Sequence, residues 1–477
     1  MKKIPIFGSG VRSYSDIVTR QRRVNCFYDL RPDGDRETQL VVVGTPGQTT
    51  VATTPDTAAI FCMRAVGIRL FVATLSHFYV YTPGYTIIFT GTWITGTTLA
   101  VTMADQGTQV YVMRTYKSGI TIGYEAYVYD INSVTLVPVA DANFGYSGVT
   151  GLSSRFVGLP YPGTGSARQF NVSNLLSGTS WTPLVFGTKE QYGDPLVTTA
   201  SVKGALLLLG SGSTEFWQDV GSYPNPFQRI NGTTTKWGIA SAASLAYVKD
   251  TVMYLATDPD GKYRVAMING YTVQPVSTSD IDSIIANFTS PTNCTALVYT
   301  ALGHPMYQIT WPADNRTLTY DVVSQIWHEA QTGGGTTPQA HSAVYCVTYQ
   351  GDNLTATGLT GGVISKFDMS TKTDNGTAIY REVCTKHIRD QGNQTFLCQA
   401  WLDFELGTSS GNVTLNVSKD GGNSFGPSKV KSVSSRGQRV IWNRLGSSED
   451  FVLKISTSDP INFTILGGSA SVDLSDD

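Results

Sequence analysis

A degenerate repeat constrains this chain more than any other feature. From about residue 60 to 370 a short apolar strand, a Gly-rich turn and an aromatic-bearing strand recur, each unit closing on an Asp/Asn-x-x-Ser-like turn. Clear instances are Tyr129-Asp130-Ile131-Asn132-Ser133, Phe170-Asn171-Val172-Ser173, Tyr320-Asp321-Val322-Val323-Ser324 and Phe367-Asp368-Met369-Ser370, with weaker counterparts near Tyr81, Trp217 and Met267. The steps are roughly 40 to 55 residues, the spacing of β-propeller blades. A four-stranded blade has two apolar faces and cannot bury either alone; neighbours set around an axis bury both, and closure protects the end blades. Continuous apolar runs such as Leu70-Phe71-Val72-Ala73 and Ala205-Leu206-Leu207-Leu208-Leu209 suit strands covered on both sides. The pattern predicts an all-β chain with a propeller of six or seven blades over residues 48–374.

Two segments fall outside the repeat. The polar stretch Thr371–Thr377 marks a boundary, and beyond it strands alternate cleanly, as in Trp401–Leu406, Val413–Val417 and Phe451–Ile455. Alternation with intervening turns predicts an antiparallel β-sandwich over 375–477. Residues 1–47 end at the turn Thr45-Pro46-Gly47 and lack periodicity; up to Glu37 they carry eight Lys/Arg against five Asp/Glu. They read as an extended N-terminal arm. Arg20, Arg22, Arg23, Phe27 and Tyr28 are its candidate subunit contacts, because the aromatic residues need burial and the arginines could pair with carboxylates across an interface.

Charge excludes an ordinary DNA-gripping module. Only 15% of residues are charged and the net charge is −2, whereas phosphate-binding proteins are basic. No apolar run follows Lys2-Lys3 as in a secretory signal, and none is long enough to span a membrane. The six cysteines show no Cys-x-x-Cys spacing and read as reduced and mostly buried; a Cys384–Cys398 bridge is the minor alternative. The histidines 77, 304, 328, 341 and 387 have no metal-ligand spacing, and no phosphate loop follows Gly210-Ser211-Gly212. Catalytic, metal and cofactor sites are therefore all read as none. Asp403 and Glu405 share the solvent face of an amphipathic strand. Ser418-Lys419-Asp420-Gly421-Gly422-Asn423-Ser424-Phe425 is similar to the Asp-box of sialidase-type propellers. Ser418, Asp420, Gly422 and Phe425 are read as a structural turn, since the Asp satisfies backbone N–H groups. The arginine cluster and Tyr–Glu pair of a sialidase find no place in the sequence.

Several motifs together resemble a known family. Gly212-Ser213-Thr214-Glu215-Phe216-Trp217 precedes Lys236-Trp237-Gly238-Ile239-Ala240-Ser241. Lys419–Phe425 is followed by Trp442-Asn443-Arg444-Leu445-Gly446, then by Leu453-Lys454-Ile455 and Asp459–Gly467. Arg23–Phe27 stands ahead of Thr45-Pro46-Gly47. In this order and spacing the chain resembles the packaged-DNA stabilisation, or tail nozzle, family of short-tailed bacteriophages, over nearly its whole length except about 90 to 200. The resemblance implies a non-enzymatic virion protein of the tail, made in the host bacterial cytoplasm. Its implied partners are further copies in a ring, expected as a hexamer, the adaptor and portal rings above, and tail fibre, tailspike or plug proteins. Double-stranded DNA would pass through without sequence-specific binding, retained after packaging and conducted at ejection. Low charge suits such a conduit, because each strong phosphate contact would hinder release. The alternative readings are a glycan-binding or glycan-degrading propeller that recognises a receptor, and a monomeric scaffold propeller.

Overall fold

The computed structural model describes residues 2–8, 21–30, 40–93, 96–161, 165–357, 361–390, 393–405, 407, 409–434 and 439–474. Among them, seven sheets are built from four consecutive antiparallel positions each. Blade one comprises Ile60–Val66, Arg69–Thr74, His77–Thr82 and Thr86–Thr92. Blade six comprises Thr295–Ala301, His304–Trp311, Arg316–Asp321 and Ile326–Glu329. Blade seven takes Tyr345–Tyr349, Asp352–Ala356 and Val363–Asp368 from one end of the repeat, and its fourth strand, Gly47–Thr53, from the other. Pairing Gly47–Thr53 against Val363–Asp368 thus closes the circle through backbone hydrogen bonds. Seven apolar clusters fill the seven gaps between neighbouring blades. The closing gap packs Tyr349, Leu354 and Ile364 of blade seven on Ile60, Leu70 and Tyr79 of blade one. The fold is a seven-bladed β-propeller.

The aromatic markers all fall on the third strand of a blade. Tyr81, Tyr129, Phe170, Trp217, Tyr320 and Phe367 are buried there, and Met267 holds the same place in blade five. The turns that follow are self-satisfied. Asp130 accepts from the N–H groups of Asn132 and Ser133 at 2.9 Å each, and Asp321 accepts from Val323 N–H at 2.9 Å and Ser324 Oγ at 2.7 Å. One helix, Ser279–Ala286, covers the gap between blades five and six with Ile281 and Ile285.

Residues 380–474 form a β-sandwich of two sheets. The first contains Thr395–Phe404, Arg439–Ser448 and Thr464–Leu474; the second contains Arg381–Cys384, Gly411–Ser418, Lys429–Val433 and Val452–Thr457. Leu402, Phe404, Val413, Leu415, Trp442, Leu453 and Phe463 meet between them. The N-terminal residues differ from the expectation of an extended arm. Lys2–Pro5 pairs with Thr464–Leu474, and the hairpin Cys26–Leu30 with Leu40–Gly44 extends the same sheet. Ile6, Phe7, Cys26, Tyr28 and Val42 are buried in the sandwich core. The physical reason is that the C-terminal strands alone leave this core uncovered, and the chain's first residues carry the apolar side chains that cover it. All six cysteines are free, and no helix among the described residues is long and apolar enough to cross a membrane.

Candidate functional site

The short strand Arg23–Val24 sits where the two domains meet. It pairs in parallel with blade six at Val24–Glu329 and antiparallel with Arg381–Cys384 of the sandwich. One continuous nine-stranded sheet therefore runs from blade six through the N-terminal strand into the sandwich.

Side chains lock this seam. Asn25 adopts a left-handed backbone with φ of 50°, a conformation that Asn tolerates better than most residues. Its Nδ2 donates to the carbonyls of Gln331 and Tyr380, each at 2.8 Å, and its Oδ1 accepts from Gln331 N–H at 2.9 Å. Thr45 N–H donates to the Asn25 carbonyl at 3.0 Å. The guanidinium of Arg22 grips both oxygens of Glu329 at 2.8 Å and reaches Glu382 at 3.2 Å. Burial works against that charge, but the Glu329 hydrogen bonds and the two carboxylates outweigh it and hold Arg22 more firmly protonated than usual. Arg23 donates to the Trp327 carbonyl and lies 4.7 Å over the Tyr28 ring. Phe27 packs against His304 and His328 of blade six. His304 stands between Asp321 at 2.8 Å and Asp29 at 3.4 Å. Arg381 is 1% exposed, donates to the Thr45 carbonyl, and burial lowers it to about 10.

Arg22, Arg23, Phe27 and Tyr28, expected as subunit contacts, are placed by the structure against their own chain. Phe27 and Tyr28 are 2% and 1% exposed and are buried by their own chain, and both arginines are committed within it. Arg20 lies outside the described residues. The seam partners Glu329, Gln331, Arg381 and Glu382 were not singled out from the sequence. No local pattern marks them, because each is defined by a partner some three hundred residues away, as with Arg22 and Glu329.

The Asp-box residues lie at the far end of the sandwich. Ser418 Oγ donates to Asp420 at 2.6 Å and accepts from Gly422 N–H at 2.7 Å. Asp420 also accepts from Ser424 N–H at 2.9 Å and from Ser424 Oγ, and Phe425 supports Lys454 at 4.5 Å. The Ser418 hydroxyl, then Ser424, holds the Asp420 carboxyl well below the usual range. Asp403, flagged with Glu405, pairs with Arg439 at 2.8 and 3.0 Å.

The described residues contain no group of His, Cys, Asp and Glu able to hold a metal ion. His328 is held neutral, lowered by burial to about 3. A cavity of about 430 Å³ opens between blades four and five, lined by Lys203, Phe216, Lys249, Asp250 and Tyr271 among others. Asp250 is the one carboxylate among its lining residues, whereas glycoside hydrolysis ordinarily needs a facing pair. The architecture is a closed propeller joined to a sandwich through a seam of strand pairing and side-chain hydrogen bonds. Two family models match it, one described as Bacteriophage P22 Gp10, beta-propeller, over residues 87–372, and one as Bacteriophage P22 Gp10, beta-sandwich, over residues 380–473. The chain belongs to this family of packaged-DNA stabilisation, or tail nozzle, proteins, which are structural components of the phage tail. The first match spans the stretch from about 90 to 200 that the motifs did not reach. No curated protein matches the chain.

Proposed function

We propose that this protein is a non-enzymatic subunit of a homomeric ring, expected to be a hexamer, that closes the portal–adaptor channel after packaging, retains the DNA and conducts it at ejection. The family match over both domains, in order, is the observation that carries the reading. The continuous nine-stranded sheet supports it, because a subunit that bears pressure from packaged DNA needs domains that do not swing independently. A near-neutral chain is also suited to a wall that DNA must leave. Its partners are proposed to be the adaptor and portal rings and the fibre, tailspike or plug proteins.

The test is a phage unable to make this chain. Heads that fill and then lose DNA, restored by supplying the protein, are the expected result, with tails carrying several copies by mass. Stable filled heads without the protein, or a single copy per tail, would overturn the reading.

A further inference from the structure

Between Gly411 and Asp450 the sequence carries six Lys/Arg, namely Lys419, Lys429, Lys431, Arg436, Arg439 and Arg444, against Asp420, Glu449 and Asp450. That is a local +3 in a chain whose net charge is −2, and Asp450 is paired with His387. Arg436 lies outside the described residues. Arg439 is committed to Asp403 and to the Trp401 ring. Lys419, Lys429, Lys431 and Arg444 are exposed and form no ion pair among the described residues.

The topology brings these four together. Lys429–Val433 is the last strand of the nine-stranded sheet, and Arg439–Ser448 is the last strand of the six-stranded sheet. Both edges lie at the ends opposite the strands that adjoin blade six. Trp442 Nε1 donates to the Lys429 carbonyl at 2.9 Å, and Ser448 Oγ donates to the Lys419 carbonyl at 2.6 Å. The two sheet edges and the Asp-box turn thus lie side by side, with Lys419, Lys429, Lys431 and Arg444 on them.

We propose that this double edge contacts the phosphodiester backbone of duplex DNA. The proposal rests on the reading of the chain as a DNA conduit and assigns the contact within it. Lys429 and Lys431 stand two residues apart on a strand, about 6.8 Å, twice the axial rise of about 3.4 Å per phosphate of one DNA strand. A protein partner would require an apolar centre to the patch, and among the described residues the exposed large hydrophobics here, Val430, Ile441 and Phe396 opposite Ser447, lie on separate strands. Lysines also guard free strand edges against pairing, but that role does not account for Lys419, which sits in the turn. With four cations the contact is a sliding one, weak enough for DNA to leave.

The test uses the full chain and a random-sequence duplex of about 30 base pairs, read by fluorescence anisotropy across a salt series. Four phosphate contacts give a slope of log affinity against log salt of about −3.5. The Lys429→Glu/Lys431→Glu/Arg444→Glu variant should lose at least about tenfold in affinity at low salt, and its slope should flatten by about 2.7. Lys203→Glu/Lys249→Glu, at exposed turns of blades four and five, should bind as the wild type does. Equal binding by the triple variant and the wild type overturns the proposal. So does tighter capture of polyglutamate than of DNA, which would assign the edge to an acidic protein surface. In assembled tails, a photo-crosslinking amino acid at position 430 should join to DNA. Tails that contain the chain without that crosslink sink the proposal and leave the nozzle reading standing, whereas particles that never incorporate the chain sink the nozzle reading itself.

Discussion

Asn25 joins the two domains through one side chain, since its amide ties Gln331 to Tyr380 while its backbone turns the N-terminal segment out of one strand and into the next. Asn25→Ala removes three buried hydrogen bonds and leaves an L residue in the left-handed region. It should destabilise the protein by about 3 kcal/mol or more in denaturant unfolding. Asn25→Gly loses the same bonds but not the backbone fit, and should recover about 1 kcal/mol of that cost. Equal penalties for the two would show that the φ of 50° is not strained here. Asp420 makes a different kind of contribution, set by charge. Its carboxyl is held low in the folded state by Ser418 and Ser424, so its contribution is present above the unfolded value of about 3.9 and is lost as the pH falls through the folded one. Asp420→Ala should cost about 1 kcal/mol at pH 7. In chemical unfolding repeated at decreasing pH, that penalty should start to shrink below about pH 4.

At the scale of elements, the third strands of blades two, three, six and seven were legible from the sequence because each carries its own marker, and those near Tyr81, Trp217 and Met267 were weaker. An aromatic side chain must be buried between sheets, and the Asp that follows it satisfies a turn within three residues, so both signals are local. The clean alternation of Trp401–Phe404 and Val413–Val417 announced the sandwich for the same reason. The N-terminal strands were not legible. Val41, Val42 and Val43 form a short apolar run with no alternation, and what pairs with them, Ile465 and Thr464, is more than four hundred residues away. The seam residues share that limit. The consequence concerns truncation. A dispensable arm could be removed to leave a folded chain. Removing residues 1–45 here takes away Lys2–Pro5, Arg23–Val24, Cys26–Leu30 and Leu40–Gly44, together with Ile6, Phe7, Tyr28 and Val42 from the sandwich core. The truncated chain should be insoluble, or should lack the near-ultraviolet dichroism of a packed sandwich. A soluble product with wild-type dichroism would return the segment to the status of an arm.

For the whole molecule, the central question is whether two domains behave as two bodies. Separately folding domains usually unfold in separate steps, since few contacts cross between them. Here strand pairing itself crosses the boundary, through Val24 to Glu329 on one side and to Glu382 on the other. The circle of blades is closed by Gly47–Thr53, which follows directly from the strand that extends the sandwich, so neither domain completes its hydrogen bonding without the N-terminal segment. Arg22 adds charge-assisted bonds to a carboxylate in each domain, and such bonds are about twice as strong as neutral ones. Calorimetry of the isolated subunit should therefore show one cooperative transition. Arg22→Ala combined with Asn25→Ala leaves both cores intact but removes the Arg22 and Asn25 bonds from the seam, leaving those of Arg23 and Arg381. It also leaves Glu329 and Glu382 partly buried without the Arg22 guanidinium, although Arg316 still reaches Glu329 at 3.1 Å. The double variant should split the single transition into two, with the sandwich melting first because it borrows more of its core from the N-terminal segment than the propeller does. Two transitions already present in the wild type would mean that the seam does not couple the domains. A variant that melts lower but still in one step would show that the strand pairing alone is sufficient to couple them.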